Sequence, residues 1–397
     1  MASSQNTAVY EELLLQFIGE ADPLQAMLEW MTTQMMHIEA SQKVGAPKGK
    51  HAPERTTYFS GTRVRRFDTR LGTMYLLVPK LRKGGYIPFF VTAKKRSEHA
   101  LMEVVQEAFV NGVSTRKIER LAHSLGIENI SAGQVSAISQ ELDAQVEAFR
   151  SRPLEAEYPV LWIDALYEKI RVNHRVHNLA VLVVMGITHA GTREVLAVEP
   201  MYQESEETYH ALFQSLKERG LQQVWLCVSD AHRGLQAAIQ QEFLGCSWQR
   251  CTVHFLRNIL AKVSPKQKKT VAQRLTQIWH QPDMATARRY AESLIDEYAE
   301  AFPEAMARLE EGVEDSLQFY ALSHFDARKV SSTNVLERLN REIRRRSRVA
   351  SPFPSMASYL RLITCYLIEY TEDWSTGRSY ISATNIEDQA EALSKAA

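Results

Sequence analysis

Two apolar runs in this chain each end on an acid. Residues 160–163 read Val-Leu-Trp-Ile and lead to Asp164, and residues 224–229 read Val-Trp-Leu-Cys-Val-Ser and lead to Asp230. Both runs have the β-branched and aromatic content of buried strands. Charged residues are rarely buried unless they are paired or bind a metal. Two buried strands that each deliver an aspartate to one sheet edge therefore point to a divalent-metal site. Hard cations such as Mg²⁺ take oxygen ligands, often one or two carboxylates together with substrate phosphates.

The pattern around the two runs is α/β. A strand is expected at 159–164. Residues 171–172 lead into a long buried-type strand at 179–187, and a third strand follows at 195–198. A helix at 208–219, a strand at 224–230, a helix at 233–243 and a short strand at 245–249 complete the series. Three strands in succession, then helix, strand, helix, strand, is the order of an RNase H-like core, although periodicity alone also admits other α/β folds. Residues 265–330 turn helical and acidic and read as an all-α insertion. At 331–375 the chain returns to the core. Thr333 or Asn334 caps a helix that runs to about Arg346, and Glu337, Arg341, Arg344 and Arg348 fall on one of its faces. Residues 376–397 read as a C-terminal tail.

Upstream of residue 151 the chain changes character three times. Residues 1–40 carry apolar positions at helical spacing: Tyr10, Leu13, Leu14, Phe17 and Ile18, then Leu24, Leu28, Met31, Met35 and Ile38. Asp22 before Pro23 is a suitable helix N-cap. This helical pair packs either on the rest of the chain or on a second copy. In 41–97, fourteen lysines and arginines face only Glu54 and Asp68, with strand propensity at 72–79 and 86–90. Formal net charge over the whole chain is zero, so the excess is local. Cations interleaved with aromatics suit phosphate contact, with Lys94, Lys95 and Arg96 as the densest group; the alternative is a solvated charged hairpin. Residues 98–150 read as three short helices with glycine-containing turns, the signature of a helix-turn-helix. Gln134, Ser136, Ser139 and Gln140 are then candidate groove contacts, unless the bundle is purely structural.

Composition is that of a globular chain of 397 residues, 45% apolar and 24% charged. Four cysteines do not make a disulfide framework in a chain this long. No signal-peptide pattern opens the chain, and no apolar run reaches the ~20 residues of a membrane helix. A cytoplasmic protein without a membrane partner is expected.

Asp164, Asp230 and Glu337 form an all-carboxylate set from distant parts of the chain. Three acids at one point repel one another unless cations neutralise them. Two Mg²⁺ ions about 3.5–4 Å apart, with Mn²⁺ as a substitute, would clamp an in-line phosphoryl displacement. Taken singly, each acid could equally be a surface or capping residue.

Four motifs carry a resemblance to the bacterial Mutator-type insertion-sequence transposases. Residues 164–171 (Asp-Ala-Leu-Tyr-Glu-Lys-Ile-Arg) resemble the family's first aspartate motif, and 229–235 (Ser-Asp-Ala-His-Arg-Gly-Leu) its second. Residues 249–258 (Gln-Arg-Cys-Thr-Val-His-Phe-Leu-Arg-Asn) are similar to its C-x-x-H segment. Residues 333–340 (Thr-Asn-Val-Leu-Glu-Arg-Leu-Asn), followed by Ile343-Arg344-Arg345-Arg346 and Phe353-Pro354, resemble its glutamate block. The likeness spans about 60–375, departs nowhere at the three acids, and is weakest in the first 60 residues. It implies an RNase H-like DDE transposase, with a helical insertion between the second aspartate and the glutamate. The 107-residue interval between Asp230 and Glu337 fits that layout. It also implies metal-dependent cleavage and joining at terminal inverted repeats, with double-stranded element and target DNA as partners in the bacterial nucleoid. Pairing two ends calls for a homodimer or higher oligomer.

Within that layout the arginines of the glutamate helix, Arg345 among them, reach for phosphates. His254 lies near the metal site, where it contacts a phosphate or an unstacked base, or else serves only core and cap; His232 has the same alternatives. Trp279 is a candidate for stacking on a DNA end, or a core residue. Cys246, Cys251 and His254 supply three of the four ligands a structural zinc would need. A protein of transposase descent that binds DNA without cutting, such as a repressor or domesticated element, and a nuclease that hydrolyses without joining are the competing functions.

Overall fold

The structure is a computed structural model that describes residues 14–50, 52–69, 71–90, 99–124, 127, 130–202, 204–348 and 352–396. Two compact units divide at Glu141/Leu142.

In the first unit, helix α1 (Pro23–Val44) is capped by Asp22, whose side chain accepts from the Gln25 N–H, with Pro23 in its first turn. It ends on Gly45 at φ 77°, where a β-carbon would lie 2.4 Å from the Glu54 carbonyl. Strands β1 (Phe59–Thr69) and β2 (Gly72–Leu81) form an antiparallel hairpin. Met74, Leu76 and Val78, with Phe67 and Tyr86, pack against Met36 and Ala40 of α1. The helix therefore packs on the rest of the chain, one of the two expected alternatives, and Leu28 adds to that core. Leu24, Met31, Met35 and Ile38 remain exposed on its other side. β1 went unread because its arginines masked its period, and 86–90 is not a strand. Tyr86 instead donates from its hydroxyl to Glu39 at 2.7 Å.

Helices α2 (His99–Val110), α3 (Thr115–Ser124) and α4 (Ala132–Ser139) pack pairwise. Ser131 and Gln134 close a capping box on α4. The third helix expected to run on through Leu142 breaks into a 3₁₀ turn at Gln140–Leu142. After it, α5 (Asp143–Ser151) belongs to the second unit, so the boundary expected at 150 moves to 141.

The second unit is built on a five-stranded sheet. Its strands are β3 (Glu157–Val172), β4 (Arg175–Ile187), β5 (Arg193–Met201), β6 (Gln223–Ser229) and β7 (Ser247–Arg250), in spatial order β5-β4-β3-β6-β7. The β4–β3 and β5–β4 pairs are antiparallel, and β3–β6 and β6–β7 are parallel. Helices α6 (Glu206–Glu218) and α7 (Arg233–Glu242) link β5, β6 and β7. Their Tyr209, Phe213, Leu216, Leu235 and Ile239 fill one face of the sheet together with Leu161, Ile163, Leu182, Val184 and Leu196. Gly186 is required here, because a β-carbon would sit 2.6 Å from the Tyr158 ring.

After β7 the chain is helical: α8 (Thr252–Leu260), α9 (Lys268–Thr276), α10 (Met284–Tyr298), α11 (Pro303–Gly312) and α12 (Ala327–Val330). Two long helices follow, α13 (Asn334–Ser347) and α14 (Met356–Thr376). α13 packs on β3, and α14 on β5 and β3. A buried Arg361 forks onto Asp143 at 2.6 and 2.8 Å, tying α14 to α5.

Residues after 376 are not a tail. Helix α15 (Ala383–Ala396) buries Ile386, while Ile381 is buried just ahead of it. Gln389 on this helix accepts from the His324 N–H and donates to the Ala321 carbonyl. Tyr380 N–H donates to the carbonyl of Gly191, whose φ of 78° and approach to Ile381 leave no room for a side chain. Only these distant partners make the segment fold, which is why its own sequence did not reveal it. Among the described residues no helix is long and apolar enough to cross a membrane.

Candidate active site

Asp164 does not end its strand. β3 runs eight residues further, with Leu166, Glu168 and Ile170 on the same face as Asp164 and Tyr167, Lys169 and Arg171 on the other. Burial alternates from Leu166 to Arg171, so the strand expected to stop at 164 continues through Val172. The parallel register pairs Trp162 with Val228, and the same offset brings Asp164 level with Asp230, one residue past the end of β6.

β7 and α8 supply the next group. The Cys251 N–H donates to the Ser229 carbonyl at 2.7 Å, which sets α8 beside the β6 terminus. His254, in the first turn of α8, lies with Nδ1 3.9 Å from Asp230 Oδ2 and Nε2 3.1 Å from Glu337 Oε1. Glu337 stands in the first turn of α13 and also has Arg257 Nη2 at 3.5 Å. Asn340, one turn on, donates from its amide to Asp164 Oδ2 at 2.7 Å. Thr333 donates to the Cys251 sulfur from both its N–H and its hydroxyl at 3.3 Å, fixing the start of α13 against the start of α8.

The electrostatics follow from this grouping. Burial pushes the Asp164 carboxyl up to about 6, against the opposing pull of His254, the Ala165 N–H and Asn340. The Cys251 sulfur beside it, with Asp230 and Asp164, holds the His254 imidazole up to about 9 in spite of its burial. The three acids thus gather round an imidazolium rather than round each other. Among the described residues no three acidic, histidine or cysteine groups close on a single point as metal ligands. The donor chemistry nevertheless suits a hard cation: the acids are all oxygen donors, one of them is destabilised as an anion, and the buried Asn340 Oδ1 has no hydrogen-bond partner.

A cleft of about 610 Å³ opens here, lined by Asp164, His254, Arg257, Glu337 and Asn340 and by Arg341, Arg344, Arg345 and Arg348. Arg345 is also held by Glu342 at 3.0 Å. Asp164, Glu337, His254 and the arginine row therefore line one cleft, while Asp230 is not among its lining residues and meets the group through His254, 3.9 Å away. Asn340 and Arg257 were missed. Asn340 was findable, because it is a polar residue within the apolar stripe of Leu336, Leu339 and Ile343.

Other flagged residues lie elsewhere. Trp279 is core: its ring is 8% exposed, meets Phe255 edge-on, and donates to Ser316 Oγ at 2.9 Å, so it offers no face to a base. The His232 ring meets Tyr209 edge-on, with Nε2 4.0 Å from Glu204. Cys246 approaches Cys227 rather than Cys251 or His254. On α4, the Gln134 side chain is engaged in the capping box, Ser136 is half-buried, Ser139 is buried and bonded to the Val135 carbonyl, and Gln140 is exposed. Lys94, Lys95 and Arg96 lie outside the described residues.

Acids at a sheet edge fronted by a row of arginines have the chemistry that phosphoryl transfer on a polyanion calls for. The chain belongs to the Mutator family of transposases, whose profile matches residues 1–377. It is 37% identical over 375 residues to the transposase of insertion sequence element IS1081 from Mycobacterium tuberculosis, covering 94% of this chain and 90% of that one. It is 35% identical over 373 residues to the transposase of IS256 in transposon Tn4001 from Staphylococcus aureus, covering 93% and 95%. A Drosophila P element transposase strand transfer complex covers 79% of this chain and 87% of that one, at 12% identity and a TM-score of 0.29, too distant to carry an argument. The activity is that of a DNA transposase.

Proposed function

We propose that Asp164, Asp230 and Glu337 are the catalytic carboxylates of this transposase. They would lie in an RNase H-like core and hold two Mg²⁺ ions, or Mn²⁺ in their place, for cleavage and joining of DNA at terminal inverted repeats. The observation that carries the reading is His254: acids from β3, the β6 terminus and α13 all face one imidazole. The sheet order, with three antiparallel strands followed by two parallel ones, supports the assignment of the core.

When bound, the ions would supply charge neutralisation at the scissile phosphate and at the attacking and departing oxygens. The chain's own groups do the rest. Asn340 orients the Asp164 carboxylate. His254 and Arg257 hold Glu337 and offset the repulsion among the acids. Arg341, Arg344, Arg345 and Arg348 bind backbone phosphates along the cleft. Lys94, Lys95, Arg96, Gln134, Ser136 and Gln140 remain the proposed contacts to the element end, in a homodimer or higher oligomer working on the bacterial nucleoid.

Asp164→Asn, Asp230→Asn and Glu337→Gln test the assignment. Each is expected to abolish Mg²⁺-dependent cleavage of labelled element ends while end binding stays near wild type, and each should weaken Mn²⁺ binding measured by calorimetry on the protein alone. Wild-type cleavage in any one of them removes that residue from the set.

A further inference from the structure

Beyond the sheet, β3 and β4 continue alone. β6 pairs with β3 only as far as Trp162, and β5 pairs with β4 only from Ala180 onward. Beyond both limits the β3–β4 ladder runs on from Glu168↔Leu179 to Val172↔Arg175. It closes in a two-residue turn with Asn173 at φ 48° and His174 at φ 65°, the left-handed pair of a type I′ hairpin. This projecting ribbon is anchored. Its inner face, Leu166, Glu168 and Ile170, is buried, and Ser347 on α13 donates to Glu168 at 2.7 Å. Its β3 edge is extended by Phe353, which exchanges two 2.9 Å backbone hydrogen bonds with Lys169 and Arg171.

The outer face and tip are exposed and of one sign. Lys169, Arg171, His174, Arg175 and His177 are exposed, and the only acid from 165 to 179 is the buried Glu168. Among the described residues no ion pair involves Lys169, Arg171 or Arg175, whereas Arg150, Arg152, Arg274 and Arg288 on the same unit each pair with an acid. Charges, lysine above all, also keep a free strand edge from pairing, but the β3 edge that carries Lys169 and Arg171 is already covered by Phe353. A uniform, unpaired positive set calls for an anionic partner. At about 3.3 Å per residue, Lys169 and Arg175 stand roughly 16 and 27 Å beyond Asp164. That is about five to eight base pairs of duplex at 3.4 Å each.

We propose that the outer face and tip of the β3–β4 ribbon grip the phosphate backbone of the duplex leaving the active site, about five to eight base pairs from the cut. This rests on the reading of Asp164, Asp230 and Glu337 as the cutting site.

The test uses the full chain and a labelled duplex carrying one element end. In Lys169→Ala/Arg171→Ala/Arg175→Ala, log K against log salt should flatten by about 0.9 for each lost contact. Hydroxyl-radical protection should fade only about five to eight base pairs from the cut. Lys169→Arg/Arg171→Lys/Arg175→Lys should retain both signals, which separates lost charge from lost folding. An unchanged slope and footprint in the alanine variant overturns the proposal. So does loss of self-association with DNA binding intact, which would assign the ribbon to a second copy. Wild-type protein that binds the ends and shows the ribbon footprint but cuts nothing sinks the reading of the acids, not that of the ribbon.

Discussion

Two side-chain hydrogen bonds lace β3 to α13, Asp164 to Asn340 and Glu168 to Ser347, both at 2.7 Å. Their footings are four residues apart on the strand and seven on the helix, so together they fix the rotation and height of α13 and with it Glu337. Ser347→Ala removes the second lace. Glu168 is 6% exposed and would be left with a carboxylate oxygen lacking its donor. Hydrogen bonds to charged groups contribute about 1.5–3 kcal/mol, and a buried unsatisfied acceptor costs a similar amount. At about 2–4 °C per kcal/mol for a unit of this size, the midpoint of the second unit should fall by roughly 3–12 °C at pH 7. The loss should also depend on pH. Burial raises the Glu168 carboxyl above its ordinary 4.5, opposed by Ser347, Arg344 and Arg348. A raised carboxyl costs the folded state stability above its folded pKa, and the cost is relieved as pH falls through that value towards 4.5. Without Ser347 the carboxyl rises further, so the gap between variant and wild type should narrow on acidification. In a Glu168→Gln background, where Ser347 meets a neutral acceptor, Ser347→Ala should cost only about 0.5–1.5 kcal/mol. Thermal unfolding followed by circular dichroism between pH 7 and pH 5 reads all three quantities. A loss that is independent of pH, or equal in both backgrounds, would refute the lacing argument.

Three further outcomes are expected. Asn340→Ala should slow end cleavage by about 10–100-fold, as removal of a partner that orients a metal-binding carboxylate typically does, with KM for DNA unchanged; single-turnover kinetics decides. Trp279→Phe removes the bond to Ser316 and should cost about 0.5–1.5 kcal/mol of stability, while binding of element ends by fluorescence anisotropy stays at wild type. If the exposed side of α1 joins two copies, Met31→Glu/Met35→Glu should yield monomers by light scattering with the α1–hairpin core intact, whereas Met36→Ala should unfold that core. A double variant that still pairs two ends places the interface elsewhere.

The acids, their order, and the arginine row at helical spacing behind Glu337 were legible in the sequence. These are local patterns: a β-prone run, a caps-and-stripe helix, and motifs of a few residues whose spacing survives without knowledge of what they touch. The same locality explains the errors. The strand after Asp164 carries Glu168 on its buried face beside Leu166 and Ile170, which hides its period, and Ser347 and Phe353, far along the chain, are what it meets there. Helix α1 showed as amphipathic, but which side was core depended on Met74, Leu76 and Val78 across the hairpin. Residues 376–397 carry too little apolar sequence to announce a docked helix, until Gln389 finds Ala321 and His324. For Trp279 the sequence left stacking and core both open, and burial against Phe255 with the bond to Ser316 made it core. At the site, sequence supplied three carboxylates and one histidine as separate facts. Their convergence on His254, and the amide of Asn340 against Asp164, are set by the offset between β3 and β6 and by the seating of α13 on α8 through Thr333 and Cys251. Such pairings join residues some 80 to 180 apart in the chain. Propensity and periodicity act over one or two turns of chain, so contacts at that range are decided only when the whole unit packs.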